Sequence, residues 1–263
     1  MIKSPADSPA ITAITDLFVT RFLNRLVPHH CPICGQEISK SGLCGACWND
    51  ICFITPPICL YCGAPLPRSL LPKSQLPDAP IDNLSCGACL KAPSPVDRSR
   101  AVCRYDVISK SLILPFKHGA RLELAGLLAQ MMQAQFHELI RPDTLIMPIP
   151  LHFTRRLYRR YNQSAELARH LCAQTQKSAQ LDVMSLYRRK ATRPLARHSK
   201  DRRRVMLRDA FALRPHATAH IKGRPILLID DVLTTGQTST SAAALLKKHG
   251  AAQVDCLAFA KVI

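Results

Sequence analysis

Four Cys-x-x-Cys pairs crowd into one stretch of this chain: Cys31/Cys34, Cys44/Cys47, Cys59/Cys62 and Cys86/Cys89. No other feature of the sequence limits the fold as much. A two-residue gap bends the backbone so that both sulfurs can face one ion, and two such pairs complete the four thiolates of a tetrahedral structural zinc site. Eight cysteines therefore supply two zinc ions. The simplest assignment joins the first two pairs at one zinc and the last two at the second; spacing alone leaves a crossed pairing open. Gly35, Gly45, Gly63 and Gly87 follow or sit within the pairs, as tight knuckle turns require. Cys52, Cys103, Cys172 and Cys256 stand alone and read as small buried apolar residues.

Metal rather than disulfide is the expectation because the sequence reads as cytoplasmic, where thiols stay reduced. The most apolar N-terminal run, Ile11 to Val27, is broken by Asp16, Arg21 and Arg25, so it is neither a secretory signal nor a membrane span. Its apolar residues Ile14, Leu17, Phe18, Phe22 and Leu26 keep helical spacing, which predicts an amphipathic segment over residues 1–28. The cysteine-rich region, 29–95, has little core of its own, and Pro65, Pro67, Pro72, Pro77, Pro80 and Pro93 favour irregular structure, with a loop inserted over 67–83. Zinc would supply the folding free energy that burial cannot. A boundary near Val96 leaves 96–263 for a second domain, and a 263-residue chain that is 47% apolar has enough material for its core.

From Val96 onward the pattern alternates between strand and helix. Ala101–Tyr105, Thr144–Met147, Ile226–Ile229 and Val254–Phe259 read as strands; Ser109–Phe116, Leu122–Met132, Ser164–Cys172 and Thr238–His249 have helical spacing, with breaks at Gly119 and Gly250. That rhythm predicts an α/β fold with a mostly parallel sheet covered by helices, binding its ligand at the carboxyl ends of the strands.

The most specific stretch is Ile226-Leu227-Leu228-Ile229-Asp230-Asp231-Val232-Leu233-Thr234-Thr235-Gly236-Gln237-Thr238. An apolar strand ends in two carboxylates, and a short Thr/Gly loop then feeds a helix N-terminus. Backbone N–H groups, the helix dipole and the hydroxyls of Thr234, Thr235 and Thr238 suit a phosphate monoester, and Gly236 lets the backbone come close. Asp230 and Asp231 suit sugar hydroxyls and a nearby divalent cation. Together they imply a ligand holding phosphate and ribose at once.

These thirteen residues resemble the phosphoribosyl pyrophosphate (PRPP) signature of type I phosphoribosyltransferases. The whole chain resembles the ComF/GntX family, which joins a double zinc ribbon to such a domain. Also matching are Tyr105 with Phe116-Lys117-His118-Gly119, then Met147-Pro148-Ile149-Pro150-Leu151-His152, then Arg159-Arg160-Tyr161-Asn162-Gln163-Ser164. The resemblance implies that Asp230 and Asp231 contact the ribose 2- and 3-hydroxyls, that the Thr234–Thr238 loop (Thr234, Thr235, Gly236, Gln237, Thr238) takes the 5-phosphate, and that Val232 and Leu233 belong to the same PRPP-binding stretch. It places Pro150, Leu151 and His152 in the pyrophosphate loop. Lys117 and Arg159 become the cations for a leaving pyrophosphate, with Mg²⁺ arriving alongside PRPP. Two departures stand out: Arg160 replaces a glycine common in relatives, and Pro194, Leu195 and Met206 occupy the mobile hood where relatives carry Gln and Asn.

Charge is concentrated in the same regions. The chain carries 36 Lys+Arg against 18 Asp+Glu, a formal +18. Between Arg188 and Arg208 lie ten basic residues (Arg188, Arg189, Lys190, Arg193, Arg197, Lys200, Arg202, Arg203, Arg204, Arg208) opposed by Asp201 alone. Arg155, Arg156, Arg159 and Arg160 interleave with Phe153, Tyr158 and Tyr161. Such clusters neutralise phosphates and, with aromatics, suit unpaired bases, although a solvated basic face has the same composition. Two functional readings follow. One is phosphoribosyl transfer to an unidentified acceptor; the other is non-catalytic handling of single-stranded DNA, which ComF-like proteins serve in natural competence.

Overall fold

The computed structural model describes residues 28–67, 69, 84–118, 121–151, 161–175, 179–189 and 210–263. Several sequence expectations lie outside these residues: the amphipathic segment up to Val27, nearly all of the 67–83 insertion, Gly119, the His152–Arg160 stretch and the basic run from Lys190 to Arg208. Compactness divides the chain between Asp50 and Ile51.

The smaller unit holds a two-residue antiparallel pair, β1 (His29–His30) and β2 (Glu37–Ile38), and a short helix α1 (Gly45–Asn49). Its buried cluster consists of Cys31, Cys44 and Cys47, with Ile33, Ile38 and Leu43 packed against them. A core made chiefly of cysteines cannot fold by apolar burial alone.

The larger unit begins with the second cysteine group and its helix α2 (Gly87–Lys91). A five-stranded parallel sheet follows, in the order β3 (Arg98–Arg104), β9 (Gln253–Lys261), β8 (Pro225–Leu233), β4 (Leu145–Pro148) and β5 (Gln180–Leu181). Ile226 to Ile229 and Cys256 to Ala260 are essentially inaccessible, the mark of central strands covered on both faces. Helices α3 (Val107–His118), α4 (Leu124–Phe136), α5 (Gln163–Gln174) and α7 (Gln237–Lys248) come from the predicted helical stretches. A short α6 (Ala217–Ile221) and an antiparallel pair, β6 (Leu186–Arg188) with β7 (Phe211–Leu213), complete the unit.

Two expectations need correction. β8 does not stop at Ile229: Asp230 and Val232 pair with Ala258 and Ala260, and Leu233 with Lys261, so both carboxylates are strand residues. The apolar run ends before the hydrogen-bond ladder does, because β9 is long enough to pair with the whole stretch. Among the lone cysteines, Cys103 and Cys256 are buried as expected, but Cys52 is exposed beside Asp106, whose hydrogen bond and charge raise the thiol pKa.

Candidate functional site

Two metal centres and a carboxylate cradle are the candidate sites. In the first metal centre the sulfurs of Cys31, Cys34, Cys44 and Cys47 lie within 4.8 Å of one another, and in the second those of Cys59, Cys62, Cys86 and Cys89 do the same. Adjacent pairs therefore share a centre, and the crossed arrangement does not occur. Cys34 and Cys44 sulfurs are 3.6 Å apart and those of Cys62 and Cys86 3.7 Å. Four sulfurs about 2.3 Å from a common zinc lie about 3.8 Å from each other, so both sets fit that ion. Backbone amides are turned toward the sulfurs: Cys47 N–H donates to Cys44 Sγ at 3.4 Å and Cys86 N–H to Cys59 Sγ at 3.3 Å. Burial opposes ionisation of Cys31 and Cys59, yet amide hydrogen bonds outweigh it and bring both thiols down to about 6.

The cradle forms at the carboxyl ends of β4 and β8. Asp231 Oδ1 meets Lys117 Nζ at 2.9 Å, with both side chains largely buried. Lys117 is the penultimate residue of α3, so the helix end carries the ammonium to the strand. Asp230 Oδ1 accepts from Ser164 Oγ at 3.2 Å and from the Asp231 amide at 2.9 Å. Burial, then the adjacent Asp231 charge, push the Asp230 carboxyl up to about 7 against the opposing influence of Lys117 and the two hydrogen bonds.

The Tyr161–Ser164 stretch ties these parts together. Tyr161 OH donates to the Phe116 carbonyl, and its ring lies 6.2 Å from the Phe116 ring. Gln163 Nε2 donates to the Lys117 carbonyl at 3.1 Å, and Asn162 Nδ2 to that of Ile149 at 3.1 Å. Asn162 also caps α5 by accepting from the Ser164 amide at 3.2 Å. Ile149 N–H donates to the Ile229 carbonyl at 2.9 Å, so the chain enters Pro150 and Leu151 from a position paired just ahead of Asp230. Three of the motif stretches named from sequence thus bracket the Asp230–Asp231 pair. The bracketing role of Tyr161, Asn162, Gln163 and Ser164 was missed from sequence; its one trace was their match to the family motif.

Beyond Leu233 the chain turns through exposed Thr234 and Thr235 to Gly236, which adopts φ +71° and opens α7. No atom lies closer than 3.9 Å to where a Gly236 side chain would start, so the left-handed backbone, not crowding, selects glycine there. Gly236 O accepts from Thr240 N–H at 2.9 Å and Ser239 Oγ at 2.8 Å. Thr235, Gly236 and the first turn of α7 form a helix N-terminus, whose dipole favours an anion. His152 and Arg159, the other two residues expected here, lie outside the described residues.

Comparison with known proteins follows the same division. Residues 22–90 match the double zinc ribbon domain and residues 145–262 the phosphoribosyl transferase domain. "DNA utilization protein YhgH" of Escherichia coli O157:H7 is 32% identical over 229 residues, 84% of this chain and 98% of that protein. The chain belongs to the ComF/GntX family. Its Salmonella typhimurium relative of the same name is 31% identical over 234 residues, covering 84% of this chain and 98% of that one. "Competence protein F" of Haemophilus influenzae is 29% identical over 235 residues, with 86% and 93% covered. The family's α/β fold and double zinc ribbon are the ones seen here. Among the described residues no helix is long and apolar enough to cross a membrane.

Proposed function

We propose that this ComF/GntX protein binds PRPP and transfers its phosphoribosyl group to an acceptor. The observation that carries this reading is the convergence at one strand end of two carboxylates, a lysine and a left-handed turn opening a helix. In this reading Thr234 to Thr238 take the 5-phosphate and Asp230 and Asp231 the ribose 2- and 3-hydroxyls, with Val232 and Leu233 fixing the strand beneath them. Pro150 and Leu151, with His152, form the wall facing pyrophosphate, and Lys117 with Arg159 supplies cationic charge for the leaving group. Asp230 and Asp231 are the residues that would hold a Mg²⁺ ion accompanying the substrate. Such an ion would supply positive charge against the charge developing on pyrophosphate. Lys117 now neutralises Asp231, so ligand binding exchanges one partner of that carboxylate for another.

Titration calorimetry with PRPP and Mg²⁺ tests the reading. Asp230→Asn combined with Asp231→Asn abolishes the binding heat while the protein stays folded by circular dichroism. Unchanged affinity in the double variant would refute the site assignment.

A second reading rests on the relatives' names and on the formal +18 charge: the protein handles single-stranded DNA. Gel shifts across a salt series separate the two, because phosphate neutralisation must weaken as salt rises.

A further inference from the structure

The larger unit holds a cavity of 1170 Å³ between the second cysteine group and α7. On one side it is lined by Thr235, Gly236 and Gln237 of the turn, yet neither Asp230, Asp231 nor Lys117 borders it. The turn assigned to the 5-phosphate therefore borders this groove, while the two carboxylates and Lys117 lie outside its lining. From Gln237 the lining follows a single stripe of α7 through Thr240 and Ser241, Ala244 and Leu245, to Lys248. Three- and four-residue steps keep one helix face in the groove for its whole length, about 16 Å at 1.5 Å per residue. That is longer than one sugar-phosphate unit, so an extended occupant fits better than a compact one.

The chemistry of the walls narrows the occupant. Among the described lining residues there is no Asp or Glu; Lys248 closes the α7 side, and Lys261 is present together with Cys62, Cys86 and Cys89 of the second metal centre. Small hydroxyl and amide side chains of α7 make one wall polar. The other lining residues include apolar Ala88, Ala92, Pro93 and Pro95 and carry Tyr61, which is 44% exposed. A hydroxyl-rich wall ending in Lys248, facing a wall of prolines and an aromatic ring, suits a chain of phosphates with flat, unpaired bases.

We propose that this groove binds the 5′-phosphorylated end of single-stranded DNA. The terminal phosphate sits at Thr235–Gln237, a following phosphate reaches Lys248, and a base stacks on Tyr61. The inference rests on the single-strand reading above and on the turn as a 5-phosphate receptor. A terminal 5′-phosphate is the same monoester on the same ribose carbon as that of PRPP, so strand and PRPP share one receptor and compete.

Fluorescence anisotropy with a labelled oligothymidylate, on the full-length zinc-loaded protein at low salt, tests it. The 5′-phosphorylated strand binds about tenfold tighter than its 5′-hydroxyl form, and saturating PRPP with Mg²⁺ cancels that advantage. Tyr61→Ala and Lys248→Glu each weaken the strand about tenfold, within the range of one lost stack or one lost phosphate contact, and leave PRPP calorimetry unchanged. A duplex with the same 5′-phosphate gains nothing from Tyr61. If DNA binds but both variants match wild type, or the 5′-phosphate makes no difference, the groove assignment is overturned while the single-strand reading survives. If no DNA binds at low salt, both fall. PRPP calorimetry on wild type reports separately on the phosphoribosyl reading.

Discussion

The two cysteine groups are built from one pattern set in two environments. Cys31-Pro32-Ile33-Cys34-Gly35 with Cys44-Gly45-Ala46-Cys47 is echoed by Cys59-Leu60-Tyr61-Cys62-Gly63 with Cys86-Gly87-Ala88-Cys89. The local bonds repeat as well: Gly35 and Gly63 N–H donate to Cys31 and Cys59 carbonyls, both at 2.9 Å, and Cys31 and Cys59 N–H donate to Gln36 and Ala64 at 2.8 Å. What differs is the surroundings. The first group closes the small unit, whose buried cluster is largely its own ligands. The second is fastened to edge strand β3, where Ser99 N–H donates to Tyr61 O at 2.6 Å and Arg100 Nη1 to Leu60 O at 2.9 Å. Nearby, Ile54 N–H donates to Val102 O and Arg104 N–H to Cys52 O, both at 2.9 Å, so this segment occupies the open edge of the sheet. One metal chemistry thus serves once as a unit's core and once as a brace on a fold that has its own.

Removing one ligand from each group is the strongest way to break the comparison. Wild-type protein should return close to two zincs per chain by elemental analysis, and Cys31→Ser or Cys59→Ser close to one. Metal binding in small zinc modules is worth about 10–16 kcal/mol, so Cys31→Ser should unfold the small unit outright. The larger unit should keep its melting temperature in that variant. Cys59→Ser should instead lower the melting of the larger unit by about 10 °C, from roughly 4 kcal/mol of lost bracing. Equal effects of the two variants on the larger unit would erase the distinction.

A subtler contrast lies in the knuckle glycines. Gly35 and Gly63 both have left-handed backbones, φ +75° and φ +64°. A side chain at Gly35 would meet nothing within 4 Å, whereas at Gly63 its first carbon would fall 2.4 Å from the Ser99 carbonyl oxygen. Gly35→Ala should therefore cost only the left-handed penalty, about 1–2 kcal/mol. Gly63→Ala should cost about 3 kcal/mol or more, because the strand carrying Ser99 must shift. Urea denaturation measures both, and a Gly63→Ala no worse than Gly35→Ala would show that β3 does not hold the second knuckle.

Much of this architecture was readable because the physics is local. Ile226–Ile229 and Val254–Phe259 are uninterrupted apolar runs, the signature of strands buried on both faces, and both are central in the sheet. Spacing alone made the eight cysteines legible as ligands, and the repeated Cys-Gly-Ala-Cys agrees with the adjacent pairing. β5, β6 and β7, two or three residues each, were not legible, since so short a run carries no period. Nor was the continuation of β8 through two aspartates, which only its register with β9 reveals. Within the cradle, Asp230, Asp231 and the Gly236 turn could be named from one contiguous motif. The Lys117–Asp231 ion pair and the Ser164–Asp230 hydrogen bond join residues 114 and 66 positions apart, so no window of sequence contains them.

A further expected effect is one of pH, and it belongs to one side of the comparison alone. Asp230 holds its proton up to about 7, first because its carboxyl is desolvated and then because Asp231 lies beside it. In the unfolded chain the same group ionises near about 4. The folded state therefore binds that proton more tightly, and the resulting stabilisation is complete below about pH 4 and lost as pH rises through about 7. Melting of the larger unit should decline across this window, and Asp230→Asn should flatten the decline. The small unit, which lacks this carboxylate, should show none of it. Ser164 Oγ bonds the ionised form, so Ser164→Ala should move the Asp230 titration upward in a carbon-13 NMR experiment, and a downward move would mean that the hydroxyl does not favour the carboxylate.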